Sequence, residues 1–270
     1  MKDFYDELMA DGRILRFKKK RHSYHIISDK QDFWLPSTTK ILGIIDKGSG
    51  MKQFLKDAGS NSDFIMRVYG TFGDIFHNIV DQAQKNGEVI LTKEILPNYP
   101  EEQMKDWIWE RLLRFKDYWD TEQDRSKLIS SEKKIYNLSS QDSNLWHAGM
   151  TDKLHEIDGN IVIDDWKTGN GVYEEYWMQL ASYAKAIEYM YGIEVDKIRV
   201  CWFPAEKPNK KGYRIIEKTK KEIDIYYKMF MNAFELWNFL ARPKILADQE
   251  QKQEIEIKTS MSSIQLKLLN

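Results

Sequence analysis

A single cysteine, Cys201, stands in a chain of 270 residues. It has no partner for an internal disulfide, and it cannot supply a zinc ribbon or an iron–sulfur cluster, each of which needs several thiolates. A reducing compartment fits that usage. Long apolar runs are lacking as well. Lys, Asp or Gly interrupts every candidate short of the ~18 residues that cross a bilayer, so no membrane partner is expected. The opening residues, Met1-Lys-Asp-Phe-Tyr-Asp-Glu7, have no apolar signal core and carry acids early. That disfavours a secretory signal or transit peptide, and the expected location is cytoplasmic. There is no Walker A sequence, hence no helicase motor, and no internal repeat. An excess of one charge is missing too: 41 Lys and Arg stand against 42 Asp and Glu, so the global balance selects no partner.

What is present is a globular composition, 42% hydrophobic and 31% charged, of a length that suits one large domain or two small ones. The first forty residues read as short strands and turns at Arg13 to Phe17, Tyr24 to Ile27 and Phe33 to Leu35. Short helices follow at Thr38 to Ile45, Met51 to Asp57 and Asp63 to Gly70, separated by Gly and Ser, and a longer one at Thr71 to Lys85. Glu101 to Asp120 repeats Met104, Ile108, Leu112, Phe115 and Trp119 at helical spacing. From Ser131 the period becomes extended, with strands at Lys133 to Leu138, His147 to Ile157 and Ile161 to Lys167. A helix at Tyr173 to Tyr191, strands at Ile198 to Phe203 and Tyr213 to Glu217, and a helix opened by a Thr219/Glu222 capping box complete the pattern. The expected organisation is a β-hairpin and helical part over 1–130, an α/β core with a mixed sheet flanked by helices over 131–245, and a polar tail over 246–270.

The chemistry concentrates between Gly149 and Gly169. Asp158-Gly159 is a strong signal for a two-residue hairpin turn. That turn faces Ile157 with Asn160 and sets Asp152 opposite Asp165. A loop at Gly159-Asn160 keeps the two acids on a shared face, and only a three-residue loop separates them. Lys167 points the same way as Asp165, and Asp164 points to the other face. Facing carboxylates repel unless a cation neutralises them, and these oxygen ligands suit Mg2+ or Mn2+. Such an ion can hold a phosphate and lower the pKa of a water, while the Lys167 ammonium would orient that water or offset developing charge. Phosphodiester hydrolysis is the reaction these parts suit. An isolated Asp-x-Lys is most often an ordinary hairpin feature. Here an apolar strand, Ile161-Val-Ile163, delivers the acids.

Gly149-x-x-Asp152, Asp165-Trp-Lys167-Thr, Gln179-x-x-x-Tyr183 and the upstream Gly73-x-x-x-His77, in this order, resemble the motifs of the RecB-like branch of the PD-(D/E)XK nucleases. Pro36-Ser-Thr-Thr-Lys-Ile-Leu42 is similar to a Ser-Val-Thr-x-Ile-Leu segment of the mitochondrial genome maintenance exonuclease and related phage proteins. The resemblance covers about residues 34–240 and implies a restriction-endonuclease-like core with an N-terminal, mostly helical extension. It implies a metal-dependent DNA exonuclease acting on free ends or single strands, in recombination, repair or phage DNA metabolism, with recombination or replication proteins as partners. His77, Asp152, Asp165 and the backbone carbonyl of Trp166 would ligate the metal, Lys167 would be the catalytic lysine, and Gln179 and Tyr183 would support the site or the DNA backbone. Glu132 matches an additional acid. Some relatives carry four cysteines for an iron–sulfur cluster, which this chain lacks. A structure-specific endonuclease and a nucleic-acid-binding or partner-recruiting module with little cleavage are the alternatives.

His22, His25, His147 and His155 form no metal set with the acids and read as solvated or structural. Lys18, Lys19, Lys20 and Arg21, and the loop carrying Lys210 and Lys211, are candidates for phosphate contact, with Tyr24 or Trp34 stacking bases. The aromatic helix Trp107 to Trp119 reads as core.

Overall fold

Asp158 and Gly159 both adopt positive φ, 50° and 75°, the conformation a tight two-residue hairpin turn demands. They join β6 (His147–Ile157) to β7 (Asn160–Lys167), and the ladder runs from Ile157↔Asn160 to Lys153↔Asp164, the register the turn residues predict. The computed structural model describes residues 4–18, 23–28, 32–46, 48–91, 102–122, 125–204 and 208–246.

The hairpin is the centre of a five-stranded sheet in the order β5-β6-β7-β8-β9, with β5 at Ser126–Asn137, β8 at Lys197–Trp202 and β9 at Arg214–Thr219. Only β7 and β8 are parallel, because the connection between them passes through a helix, α5 (Glu174–Tyr191). Gly192 ends α5 in the left-handed conformation, φ 66°, as a glycine C-cap does. The Thr219/Glu222 capping box opens α6 (Lys220–Leu240). Ile163, Leu154, Ile198 and Val200 of the sheet pack with Trp177, Leu180, Ile187 and Ile223 of these two helices.

Four further strands, β1 (Phe4–Leu8), β2 (Ile14–Lys18), β3 (Ser23–Ile27) and β4 (Asp32–Leu35), form a separate antiparallel sheet in chain order. Leu15, Phe17, Tyr24 and Ile26 press against Tyr136, Leu138 and Ala148 of the β5–β6 region. The Pro36–Leu42 segment fastens this sheet. Ala148 N–H donates to the Pro36 carbonyl at 3.1 Å, Ser37 caps α1 (Thr38–Leu42) by accepting from Lys40 N–H at 3.2 Å, and the Thr38 hydroxyl lies 3.1 Å from that of Ser182 on α5.

After α2 (Gly48–Ala58), one helix runs without a break from Ser62 to Asn86 (α3). The stop expected at Gly70 does not occur. Phe72, Phe76, Ile79, Val80 and Ala83 form one buried stripe against α4 (Glu102–Glu122) and Trp166, Cys201 and Phe203 of the sheet, and a helix interior tolerates a glycine at roughly 1 kcal/mol. The continuous helix fixes the direction in which His77 points. The polar tail expected over 246–270 lies, beyond residue 246, outside the described residues.

Candidate metal centre

Beyond Lys153↔Asp164 a side chain replaces the ladder: Asp152 Oδ2 accepts from the Trp166 backbone N–H at 2.8 Å. The amide and carbonyl of one strand residue project to the same edge, so the Trp166 carbonyl also faces the β6 side, while its indole is buried in the core shared with α4. On the other flank of β6, Glu132 lies between the pairs Ser131↔Lys153 and Lys133↔Thr151, opposite Asp152. Glu132 has φ 48°, a conformation that costs a non-glycine residue on the order of 1–3 kcal/mol. From α3, His77 Nδ1 reaches within 3.4 Å of Asp152 Oδ1. His77, Glu132 and Asp152 each offer one ligand atom, and the three atoms lie within 4.8 Å of one another.

Asp165 stands beside this trio. Its Oδ2 is ion-paired with Lys167 Nζ at 2.6 Å yet receives no well-aligned hydrogen bond. Tyr176 of α5 places its ring 4.7 Å from the same ammonium, an attraction of a cation to an aromatic face. Burial, the neighbouring charge of Asp152 and only partial relief from Lys167 push the Asp165 carboxyl up to about 6. Burial and Asp152 push Glu132 up to about 7. For His77, burial opposes the charged ring, but the Asp152 carboxylate outweighs it and lifts the value to about 9. Asp152, despite burial, is held below the usual carboxylate range by His77 and Lys167. Lys167 is held above its ordinary value, against burial, by Asp165 and Asp152. The Glu132 carboxyl, the Asp152 carboxylate and the His77 imidazole form a hard oxygen and nitrogen donor set that a divalent cation could occupy, with the Asp165 carboxyl beside it.

Gln179 and Tyr183 lie one turn apart on α5, and Gln179 Nε2 donates to the Tyr183 hydroxyl at 3.0 Å. Tyr183 is buried against the backbone of Gly149, where a Cβ would come 2.4 Å from its Cε1. Gly-x-x-Asp and Gln-x-x-x-Tyr are thus two halves of one contact: the glycine admits the tyrosine that braces β6 three residues before Asp152.

Asp164 does turn to the other face of β7. There it meets Arg199 through two contacts of 2.7 Å, Tyr118 at 3.0 Å and His155 at 3.2 Å. His155 and His147 are both buried, and His25 pairs with Asp32 at 2.8 Å. Lys18 is on the outward side of β2, since Leu15 and Phe17 take the inward side, and so is not brought to the centre. Lys19, Lys20, Arg21 and His22 lie outside the described residues. Tyr24 is buried in the core of its sheet and presents no face for a base. Trp34 packs on Trp237. Lys210 and Lys211 are exposed beside α4.

Three neighbours of the centre carried no mark in the sequence reading. Asp81, one turn after His77, accepts from Ser131 and Lys85 at 2.6 Å each, and its spacing from His77 on one helix was the available signal. Tyr176 had none. Arg111 of α4 donates from Nε to the Thr168 carbonyl, one residue past Lys167, at 3.2 Å.

No family model matches this chain, and comparison with curated proteins gave no match. Among solved structures, it is similar to a candidate exonuclease from Eubacterium rectale, with 16% identity and a TM-score of 0.42 over 67% of this chain and 65% of that one. It also overlaps SSO0001, with 13% identity and a TM-score of 0.30 over 61% and 74% of the two chains. A third is protein VC1899 from Vibrio cholerae, with 11% identity and a TM-score of 0.23 over 68% and 57%. The chain therefore spans a little under two thirds of the length of the Eubacterium rectale protein.

Proposed function

We propose that the chain is a divalent-metal-dependent nuclease that hydrolyses phosphodiester bonds in DNA, acting as an exonuclease on free ends or single strands. One observation carries the reading: ligand atoms from three separate elements, His77 of α3, Glu132 of β5 and Asp152 of β6, meet within 4.8 Å beside the Asp165–Lys167 pair. The ordered motifs from Gly73 to Tyr183 support DNA as the substrate.

His77, Glu132, Asp152 and Asp165, with the Trp166 carbonyl, would hold Mg2+ or Mn2+. Once bound, such an ion supplies a Lewis acid for the phosphodiester and a water of lowered pKa. Lys167, kept protonated by its two acidic neighbours, presents an ammonium where charge develops on the phosphate or where the attacking water must be held. Tyr176 restrains that ammonium. Tyr183, held by Gln179 and packed on Gly149 of β6, would support the site through that strand.

The test uses end-labelled linear DNA and closed circles, single- and double-stranded, with Mg2+, Mn2+ or EDTA. Linear DNA should be lost with circles spared, only with metal, and Lys167→Ala should slow the loss by on the order of 100-fold or more. Cut circles would make the enzyme an endonuclease. Intact DNA under every condition would reject the nuclease reading.

A further inference from the structure

Two arginines one turn apart on α4 are buried, Arg111 at 1% exposure and Arg114 at 6%, and among the described residues only Arg114 has a carboxylate in range, Glu110 at 3.8 Å. Arg111 has no ion pair among the described residues; it is held by the carbonyls of Thr168 and Trp107, and its Nη2 has no acceptor. Arg114 donates from Nη1 to the Pro204 carbonyl, its Nη2 pairs loosely with Glu110 at 3.8 Å, and its Nε is buried with no acceptor among the described residues. Arg111 also stacks on the Trp107 ring at 3.3 Å, and a buried positive charge with so few partners is costly.

Arg114 borders a cavity of about 680 Å³, within the size range of small-molecule sites. Leu91, Trp109 and Leu113 give it an apolar wall, Lys210 and Lys211 line it together with Arg114, and Glu110 and Asp117 are also at its border. Gly212 lines it too, at φ +80°, where a Cβ would come 3.2 Å from Arg114 Cγ and 3.7 Å from Nε. A side chain at 212 would therefore crowd the guanidinium. Through Arg114 and the Pro204 carbonyl, the border of the cavity is tied to the segment after β8.

We infer that this cavity binds a nucleoside monophosphate unit, with the phosphate on Arg114, Lys210 and Lys211 and the base against Trp109 and Leu113. The unit is either a free nucleotide or one residue of a strand. The inference goes beyond the nuclease reading and needs none of the metal ligands.

The experiment titrates dAMP, deoxyadenosine, inorganic phosphate and a short single-stranded oligonucleotide into the full chain in EDTA. The proteins are wild type, the exposed-loop double variant Lys210→Glu/Lys211→Glu, and Asp165→Asn. The expected result is dAMP binding that phosphate competes for, that is at least tenfold weaker for deoxyadenosine, at least tenfold weaker in the double variant, and unchanged in Asp165→Asn. An oligonucleotide that displaces dAMP and loses affinity in the double variant identifies the ligand as part of a strand. One that does not displace dAMP identifies a free nucleotide. Absence of dAMP binding, equal binding of deoxyadenosine, or indifference to the double variant would overturn the inference. Because the titration excludes metal, failure of the metal centre leaves its outcome untouched.

Discussion

Strand alternation turns Asp164 and Asp165 to opposite faces of β7, and the two carboxyls then follow opposite chemistry. Burial alone would raise both. At Asp164, His155 and Arg199 overcome it and hold the carboxyl far below its ordinary range. At Asp165 burial and Asp152 prevail over Lys167. Asp164 therefore contributes stability above its unfolded value near 3.8 that is lost as pH falls through the folded value. Asp164→Asn should cost about 3–5 kcal/mol at neutral pH, the usual consequence of breaking a buried pair, as urea unfolding would show. Glu132 has the reverse sign. Its value rises from 4.5 to about 7 in the fold, so its contribution is fully present below pH 4.5 and is lost as pH rises through 7. Metal-free Glu132→Gln should thus match wild type near pH 4 and exceed it at pH 8, by on the order of 2 kcal/mol. Thermal denaturation across that range in EDTA checks this, and a variant no more stable than wild type at pH 8 would contradict it. Asp152, Asp165 and Lys167 were legible in the sequence because turn chemistry and a period of two decide where they point. Glu132 was named through the resemblance alone; its meeting with His77 and Asp152 depended on a backbone kink and on the approach of α3, neither of which local sequence encodes.

Among the elements, α3 shows why a glycine misled the sequence reading. The Gly59–Asn61 turn does separate α2 from α3, but Gly70 lies inside one helix, whose buried stripe from Phe72 to Ala83 packs against α4. A Cβ at Gly70 would meet nothing within 4 Å, so Gly70→Ala should stabilise the protein by about 0.5–1 kcal/mol. A helix broken there would show no gain in chemical denaturation. At Gly149 the outcome is the opposite. Gly149→Ala forces a Cβ to 2.4 Å from the Tyr183 ring and should cost about 1–3 kcal/mol by overpacking. Tyr183→Leu frees that space, so a double-mutant cycle should recover part of the loss; additive penalties would mean the two residues act independently. β6, α5 and the α6 capping box were readable because each carries its own start or stop signal. The burial of Arg111 and Arg114 was not, since helix arginines ordinarily face solvent, and here the segments after β7 and β8 cover them.

Over the whole molecule, one sheet separates two uses of charge. The face toward α4 neutralises Asp164 internally with Arg199 and His155, whereas at the fork of β6 and β7 a cluster of acids is left short of cations. The second sheet, β1 to β4, braces that fork through the Pro36–Leu42 segment. The first-forty strands were visible as short alternating runs, but their assembly into one sheet on β5 and β6 came from long-range packing. Among the described residues no helix is long and apolar enough to cross a membrane. A centre with raised carboxyls and a protonated imidazole must shed protons to take a cation. Calorimetric titration of Mn2+ at pH 7, in two buffers of different ionisation enthalpy, tests the central claim most directly. The expected result is saturable binding with about one or more protons released per ion, abolished in Asp152→Asn. No binding to the wild-type chain, or equal binding to the variant, would contradict the metal centre.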